Sequence, residues 1–291
     1  MSQHLLRVSD LKPRQADHLL QRAIALGREY AAGIVPPLLE GRRIALIVEE
    51  RGWRNTVAME LGAASMGAHC VHVPVGLTGG EHPQDLARYL ANWFDLVAVR
   101  TPSLGALEAF AAASALPVLN LRTRQNHPFE VLGDLSYVRA LRGGLEGLRV
   151  AAVAPAANIL ASWAEAAVAL PLEVTQIAPR ARWLDTGRYA THRLTCTEDM
   201  DALADADVIV TDCWPAGATE AEMAPFRITA ARLDATRPGC LFIPCPPVSR
   251  GEEVSEDAMT HPRCVAVAAK AQLMHVQMAF AEAVLAERMP S

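Results

Sequence analysis

What most constrains this chain is a repeated alternation of a short apolar run, a turn and a helical pattern. Residues 44–48 (IALIV) end at a charged turn before a helix that begins near Asn55. The unit recurs at 69–73 before a Gly-rich loop and a helix around 84–92, at 96–99 before 104–113, and at 118–121 before 128–142. A strand that feeds a helix and then another strand pairs with it in parallel, because the helix carries the chain back to the starting end of the sheet. Expected strands at 150–153, 173–177, 208–211 and 240–243 repeat the alternation in the second half. Two parallel α/β sheets are therefore expected. With 291 residues, 51% of them hydrophobic and 20% charged, the chain can fill two medium cores. The run Arg142-Gly143-Gly144-Leu145-Glu146-Gly147 punctuates the pattern and places the junction near residues 133–147. A helix over 9–26 opens at Ser9-Asp10 before Leu11, and an Ala/Leu/Met-rich helix runs over 268–288.

Several function classes fall away. The first turn of the second half reads VAAVAPAANILAS, without G-x-G-x-x-G, and no G-x-x-x-x-G-K-[ST] occurs anywhere, so neither a dinucleotide cofactor nor a P-loop nucleotide is expected. A net charge of -5 argues against a nucleic-acid partner. The longest apolar runs, such as 150–157 and 164–170, fall far below the ~20 residues that span a bilayer. The N-terminus lacks an apolar leader and cleavage site, which points to the cytoplasm. Nine dispersed histidines and six scattered cysteines form no metal-ligand spacing, so no metal or cofactor is expected. Cys70, Cys196, Cys213, Cys240 and Cys264 read as reduced core thiols.

Five segments carry chemistry: GRRIALIVEERGWRNTVAMELGAASMG at 41–67, VRT at 99–101, NHPFE at 126–130, TDCW at 211–214 and PCPPVSRGEEV at 244–254. Together they resemble the aspartate/ornithine carbamoyltransferases, over residues 4–285. The resemblance implies two doubly wound parallel-sheet α/β domains with a cleft between them. Residues 1–135, completed by the helix over 268–288, correspond to the carbamoyl-phosphate domain and 148–267 to the amino-acid domain. Carbamoyl transfer needs a phosphate held as leaving group, donors on the carbamoyl oxygen and a neutral amine aimed at the carbonyl carbon. In the family the phosphate sits at a helix N-terminus, where free N–H groups favour an anion.

The family's Ser-Thr-Arg-Thr-Arg falls on Gly52-Trp53-Arg54-Asn55-Thr56. Arg54 takes the place of the central arginine, and Asn55 and Thr56 keep hydrogen-bond donors. Gly52 lacks the hydroxyl, Thr56 replaces an arginine, and Trp53 reads either as core or as a lid over a changed ligand. The family's last-helix arginine falls on Leu273, two before the matching His275. Each charge-assisted hydrogen bond contributes ~1.5–3 kcal/mol, so two lost arginine contacts remove on the order of 3–6 kcal/mol. By the same resemblance Arg100, Thr101 and His127 serve the carbamoyl oxygen, and Glu130 stands where the family has Gln. Asn158, Asp212 and Cys245 hold the acceptor and mark the ornithine branch, while Arg250 belongs to a segment that fixes a loop. The resemblance further implies a cis bond at Pro246–Pro247 and a homotrimer completed by the loop over 76–84. The expected activity is transfer of a carbamoyl or related acyl group from an acyl phosphate to the amine of a small amino-acid-like acceptor. The alternative is a binding or regulatory paralogue that has lost catalysis.

Overall fold

The computed structural model describes residues 4–286. They divide into two compact units, one reaching to Gly143 and including the chain from Lys270 onward, the other spanning Gly144–Ala269.

The first unit carries β1 (Arg43–Val48), β2 (His69–His72), β3 (Leu96–Arg100) and β4 (Val118–Arg122), all parallel, in the order β2-β1-β3-β4. Its helices are α1 (Pro13–Ala31), α2 (Arg54–Ser65), α3 (Pro83–Ala91), α4 (Leu104–Ala113) and α5 (Pro128–Arg142). The chain leaves β1 for β2 on one side and then crosses to β3 on the other. The reversal opens a crevice at the C-terminal ends of β1 and β3, where ligands of open α/β sheets bind. Ile44, Leu46, Val97 and Val99 are fully buried, as strands covered on both faces require.

The second unit carries β5 (Leu148–Val153), β6 (Leu172–Ile177), β7 (Leu194–Thr197), β8 (Val208–Thr211) and β9 (Leu241–Pro244), parallel, in the order β7-β6-β5-β8-β9. Helix α6 (Asn158–Ala169) follows β5, and α7 (Glu220–Met223) and α8 (Ala230–Asp234) are short. Here the order reverses between β5 and β8.

Helix α9 (Ala266–Leu285) runs from one unit into the other. Within the first unit it crosses α5 so closely that a Cβ on Gly133 would lie 3.2 Å from the Leu273 Cα. Phe280 meets Phe129 edge-on, with ring centroids 6.0 Å apart, a geometry that adds ~0.5–1.5 kcal/mol beyond area burial. On α2, Gly62 leaves room for Met274 and Met278.

Three expectations need correction. Ser9 and Asp10 do not start α1: the Asp10 carboxylate accepts from the Leu6 and Arg7 N–H groups at 2.8 and 2.9 Å and closes a separate 3-10 turn. The helix begins at Pro13, whose missing N–H costs nothing there. The division between the units, at Gly143–Gly144, falls inside the expected 133–147, where α5 ends after Arg142 on Gly143 with φ +83°. Strand β7 was not expected, and the expected C-terminal helix ends at Leu285, its residues 287–288 lying outside the described part. Of the cysteines read as core thiols Cys240 is buried, but Cys70, Cys196 and Cys264 are half-buried and Cys213, in the loop after β8, is exposed. No described helix is long and apolar enough to cross a membrane.

Candidate active site

In the first unit the crevice is built from the turn between β1 and α2. Trp53 caps α2 without a side-chain acceptor, so the first N–H groups of the helix and its positive dipole end are left for an anion. Arg100, at the end of β3, is buried and reaches under this turn. Its Nε donates to the Glu50 carbonyl at 3.2 Å and its Nη2 to the Arg51 carbonyl at 2.8 Å. Gly52 has φ +154°, and a Cβ there would lie 2.4 Å from the guanidinium. Arg100 thus occupies the space a side chain at position 52 would need.

Arg54 stacks over the Trp53 ring, its Cζ 5.0 Å from the centroid. Trp53 is 64% exposed and is therefore not core. Glu50 pairs with Arg122 and, at 2.7 Å, with Arg124. Glu49 accepts from the Thr78 N–H at 3.1 Å and from its hydroxyl at 2.7 Å, which ties the loop over 76–84 to the end of β1. Thr101 is fully buried beside Arg100, its N–H bonded to the Arg122 carbonyl at 3.1 Å.

His127 caps α5 and Glu130 lies in its first turn. Glu130 Oε2 is 3.9 Å from His127 Nδ1, and Oε1 is 2.5 Å from Lys270 Nζ. Lys270 also reaches Asp134 Oδ1, at 3.2 Å. Burial pushes the His127 imidazole down to about 4, with the Glu130 charge opposing, so the ring is neutral at neutral pH. Burial pushes the Asp134 carboxyl up to about 6, with Lys270 opposing. For Glu130 burial also acts upward, but Lys270, His127 and the hydrogen bonds from Lys270 and Asn55 together hold it below the usual range.

Asn55 and Thr56, expected to donate to an anion, are engaged inside the fold. The Asn55 amide donates to Glu130 and its Oδ1 accepts from Gln277 Nε2 at 3.1 Å. The Thr56 hydroxyl donates to the Trp53 carbonyl at 2.8 Å. Leu273 is buried, and His275 packs against α1, its ring 5.8 Å from that of Tyr30. Lys270, Asp134, Gln277 and Arg122 join the first unit's cluster without having been singled out. A detectable signal was present: acids four apart on the largely apolar α5, and a lone lysine in VAVAAKAQL.

In the second unit three expected residues follow three adjacent strands, at the C-terminal ends beside the reversal of strand order. Asn158 opens α6 after β5, Asp212 follows β8 and Cys245 follows β9. The Cys245 N–H donates to the Thr211 carbonyl at 3.0 Å, and the Asp212 carboxylate accepts the Cys213 N–H at 2.9 Å. The next peptide, Pro246–Pro247, is cis, as expected. Arg250 is taken up by Glu256, at 2.9 Å, in a loop turned by Gly251.

The chain is similar to known proteins along its length. Residues 3–140 match the family described as aspartate/ornithine carbamoyltransferase, carbamoyl-P binding domain, and residues 146–284 match its Asp/Orn binding domain. The ornithine carbamoyltransferase of Geobacter sulfurreducens is 32% identical over 96% of this chain and 98% of its own length. That of Chromobacterium violaceum is 31% identical over 97% and 96%. The crystal structure of the ornithine carbamoyltransferase from Burkholderia thailandensis superposes with a TM-score of 0.92 at 27% identity, covering 98% of this chain and 99% of that one. The chain belongs to the aspartate/ornithine carbamoyltransferase family, nearer its ornithine branch.

Proposed function

We propose that the protein transfers a carbamoyl group from carbamoyl phosphate to the amine of a small, amino-acid-like acceptor. The observation that carries this reading is the uncapped N-terminus of α2 with Arg54 in its first turn and Arg100 beneath it. Such a site suits a phosphate dianion without a metal ligand set. Neutral His127 would meet the carbamoyl oxygen as negative charge develops there, since a neutral imidazole keeps one N–H to donate to it. In the second unit Asp212 would bind the acceptor's ammonium group, and Asn158 and Cys245 would orient its reacting amine. The reading includes a cytoplasmic homotrimer.

One observation favours the rival reading of a binding paralogue. Two Arg100 donors are committed to the carbonyls of Glu50 and Arg51. If they stay there when ligand is present, the carbamoyl oxygen loses a donor. Incubation with carbamoyl phosphate and ornithine, lysine, aspartate, putrescine or diaminopropionate, followed by mass spectrometry, separates the two. A carbamoylated amine is expected; its absence with all five between pH 7 and 9.5 favours the paralogue.

A further inference from the structure

Glu130 and Asp134 lie one turn apart on the buried side of α5, and a single lysine from α9 serves both. Lys270 Nζ is 2.5 Å from Glu130 and 3.2 Å from Asp134, and its own side chain is only 13% exposed. An ion pair this enclosed stabilises little by itself, since desolvation offsets most of the attraction. Its orientation is nonetheless tightly specified. Gln277, two turns further along α9, donates to Asn55 Oδ1 at 3.1 Å and so turns the Asn55 amide N–H toward Glu130. Gln277, Asn55, Glu130, Lys270 and Asp134 form one buried relay joining α9, the start of α2 and the start of α5. Other charged or titratable groups acting on this cluster are His127 on α5, Arg100 on β3 and Arg122 on β4.

An acid beside the first turn of α2 conflicts with a phosphate there, because like charges repel strongly where water is excluded. We propose that Lys270 is a positioning residue of the donor site: it holds Glu130 as a charge-compensated carboxylate, so that the α2 N-terminus can accept a dianion despite the acid facing it. The inference rests on the carbamoyl-phosphate reading above. Burial is already the largest single influence on Glu130, and without Lys270 it loses its main opponent and raises the pKa. At low pH a protonated, neutral Glu130 then tolerates the anion, and at high pH a bare carboxylate repels it. Donor affinity acquires a pH dependence that the intact pair suppresses.

The test is calorimetry with carbamoyl phosphate from pH 6 to 9 on wild type, Lys270→Met, Glu130→Gln and the double variant, each checked for folding by thermal melt. Wild-type affinity should be flat from pH 7 upward, where Asp134 is already ionised. Lys270→Met should bind about tenfold or more weakly at high pH and recover as pH falls. The double variant should return to within about threefold of wild type. Equal losses in Lys270→Met and the double variant, or a flat Lys270→Met profile at wild-type affinity, overturn the proposal. If neither wild type nor Glu130→Gln binds carbamoyl phosphate, the donor reading fails instead. Carbon-13 NMR of the Glu130 carboxyl then decides the pairing alone: titration near neutrality in Lys270→Met supports it, and a carboxyl ionised as in wild type overturns it.

Discussion

Arg100 and Gly52 leave no room for a side chain between them. The guanidinium sits 2.4 Å from where a Cβ on Gly52 would stand, and it donates to the two carbonyls just before that glycine. The turn that opens α2 is therefore held from beneath by the end of β3, and the cost is a backbone conformation that suits glycine.

Gly52→Ala should destabilise the protein by about 1–3 kcal/mol, from the φ of +154° and the displaced guanidinium. Urea unfolding would measure it. Because the obstructing atoms are the far end of a flexible side chain, Arg100 can swing away. Carbamoyl phosphate affinity should change along with stability, and unchanged values for both would contradict the close packing.

Trp53 is exposed and stacked on Arg54, so it should report on the donor site. Its fluorescence should change when carbamoyl phosphate draws Arg54 away, and Trp53→Phe should remove most of that signal. Trp53→Ala should cost no more than about 1 kcal/mol of stability, the scale of an exposed cation–π contact. Arg54→Ala should abolish the heat of carbamoyl phosphate binding while leaving the melting temperature nearly unchanged.

Central strands were legible because doubly covered parallel strands read as apolar runs, as in the IALI of 44–47 or the run ending at Val153. Strands β2 (HCVH) and β6 (LEVTQI) carry polar residues and were legible only from the alternation of strand, turn and helix. Strand β7 was not: LTCT pairs with β6 alone at the sheet edge and buries only Leu194, so it carries no apolar pattern. Helix α1 carries a glycine at position 27, where helix propensity is poor, because a Cβ there would lie 2.8 Å from His275 on α9. Among site residues, those fixed by local motifs landed at strand ends. The status of Glu130 could not be read locally, since its partner Lys270 lies far along the chain. Asn55 and Thr56 kept the right atoms, but α9 and the turn's own carbonyls claimed them.

Stability should respond to pH through two opposing buried groups. His127 titrates at about 4 against 6.5 unfolded, so the unfolded state binds more protons between those values and stability rises with pH there. Asp134 titrates at about 6 against 3.8 unfolded, so the native state binds more protons and stability falls as pH rises through that range. Each is on the order of 3 kcal/mol, and the two largely cancel between pH 4 and 6. Asp134→Asn should unmask the histidine: its stability should climb more steeply from pH 4 to 6.5 than that of wild type. Parallel urea-midpoint profiles would contradict the assignment.

The loop over 76–84 is fastened to Glu49 through Thr78, which presets its shape before any partner arrives. Light scattering at micromolar concentration should give the mass of three chains. Glu49→Ala should loosen the loop and weaken both the assembly and carbamoyl phosphate binding, and a monomeric wild type would count against the trimer.

Acceptor chemistry gives the sharpest separation of roles. An attacking amine must be neutral, so kcat/KM for ornithine should rise about tenfold per pH unit below the amine's pKa and level off above it. His127, already neutral far below this range, contributes nothing to the rise, which should therefore shift with the pKa of the amine when ornithine is replaced by diaminopropionate. Asp212 follows β8 and would hold the acceptor's ammonium group rather than touch the donor. Asp212→Asn should raise KM for ornithine by tenfold or more, the loss of one charge-assisted contact, and leave KM for carbamoyl phosphate within about twofold. The milder Arg54→Lys should do the reverse. Steady-state kinetics with each substrate varied in turn measures both, and equal effects of the two variants on both constants would show that neither residue serves the substrate assigned to it.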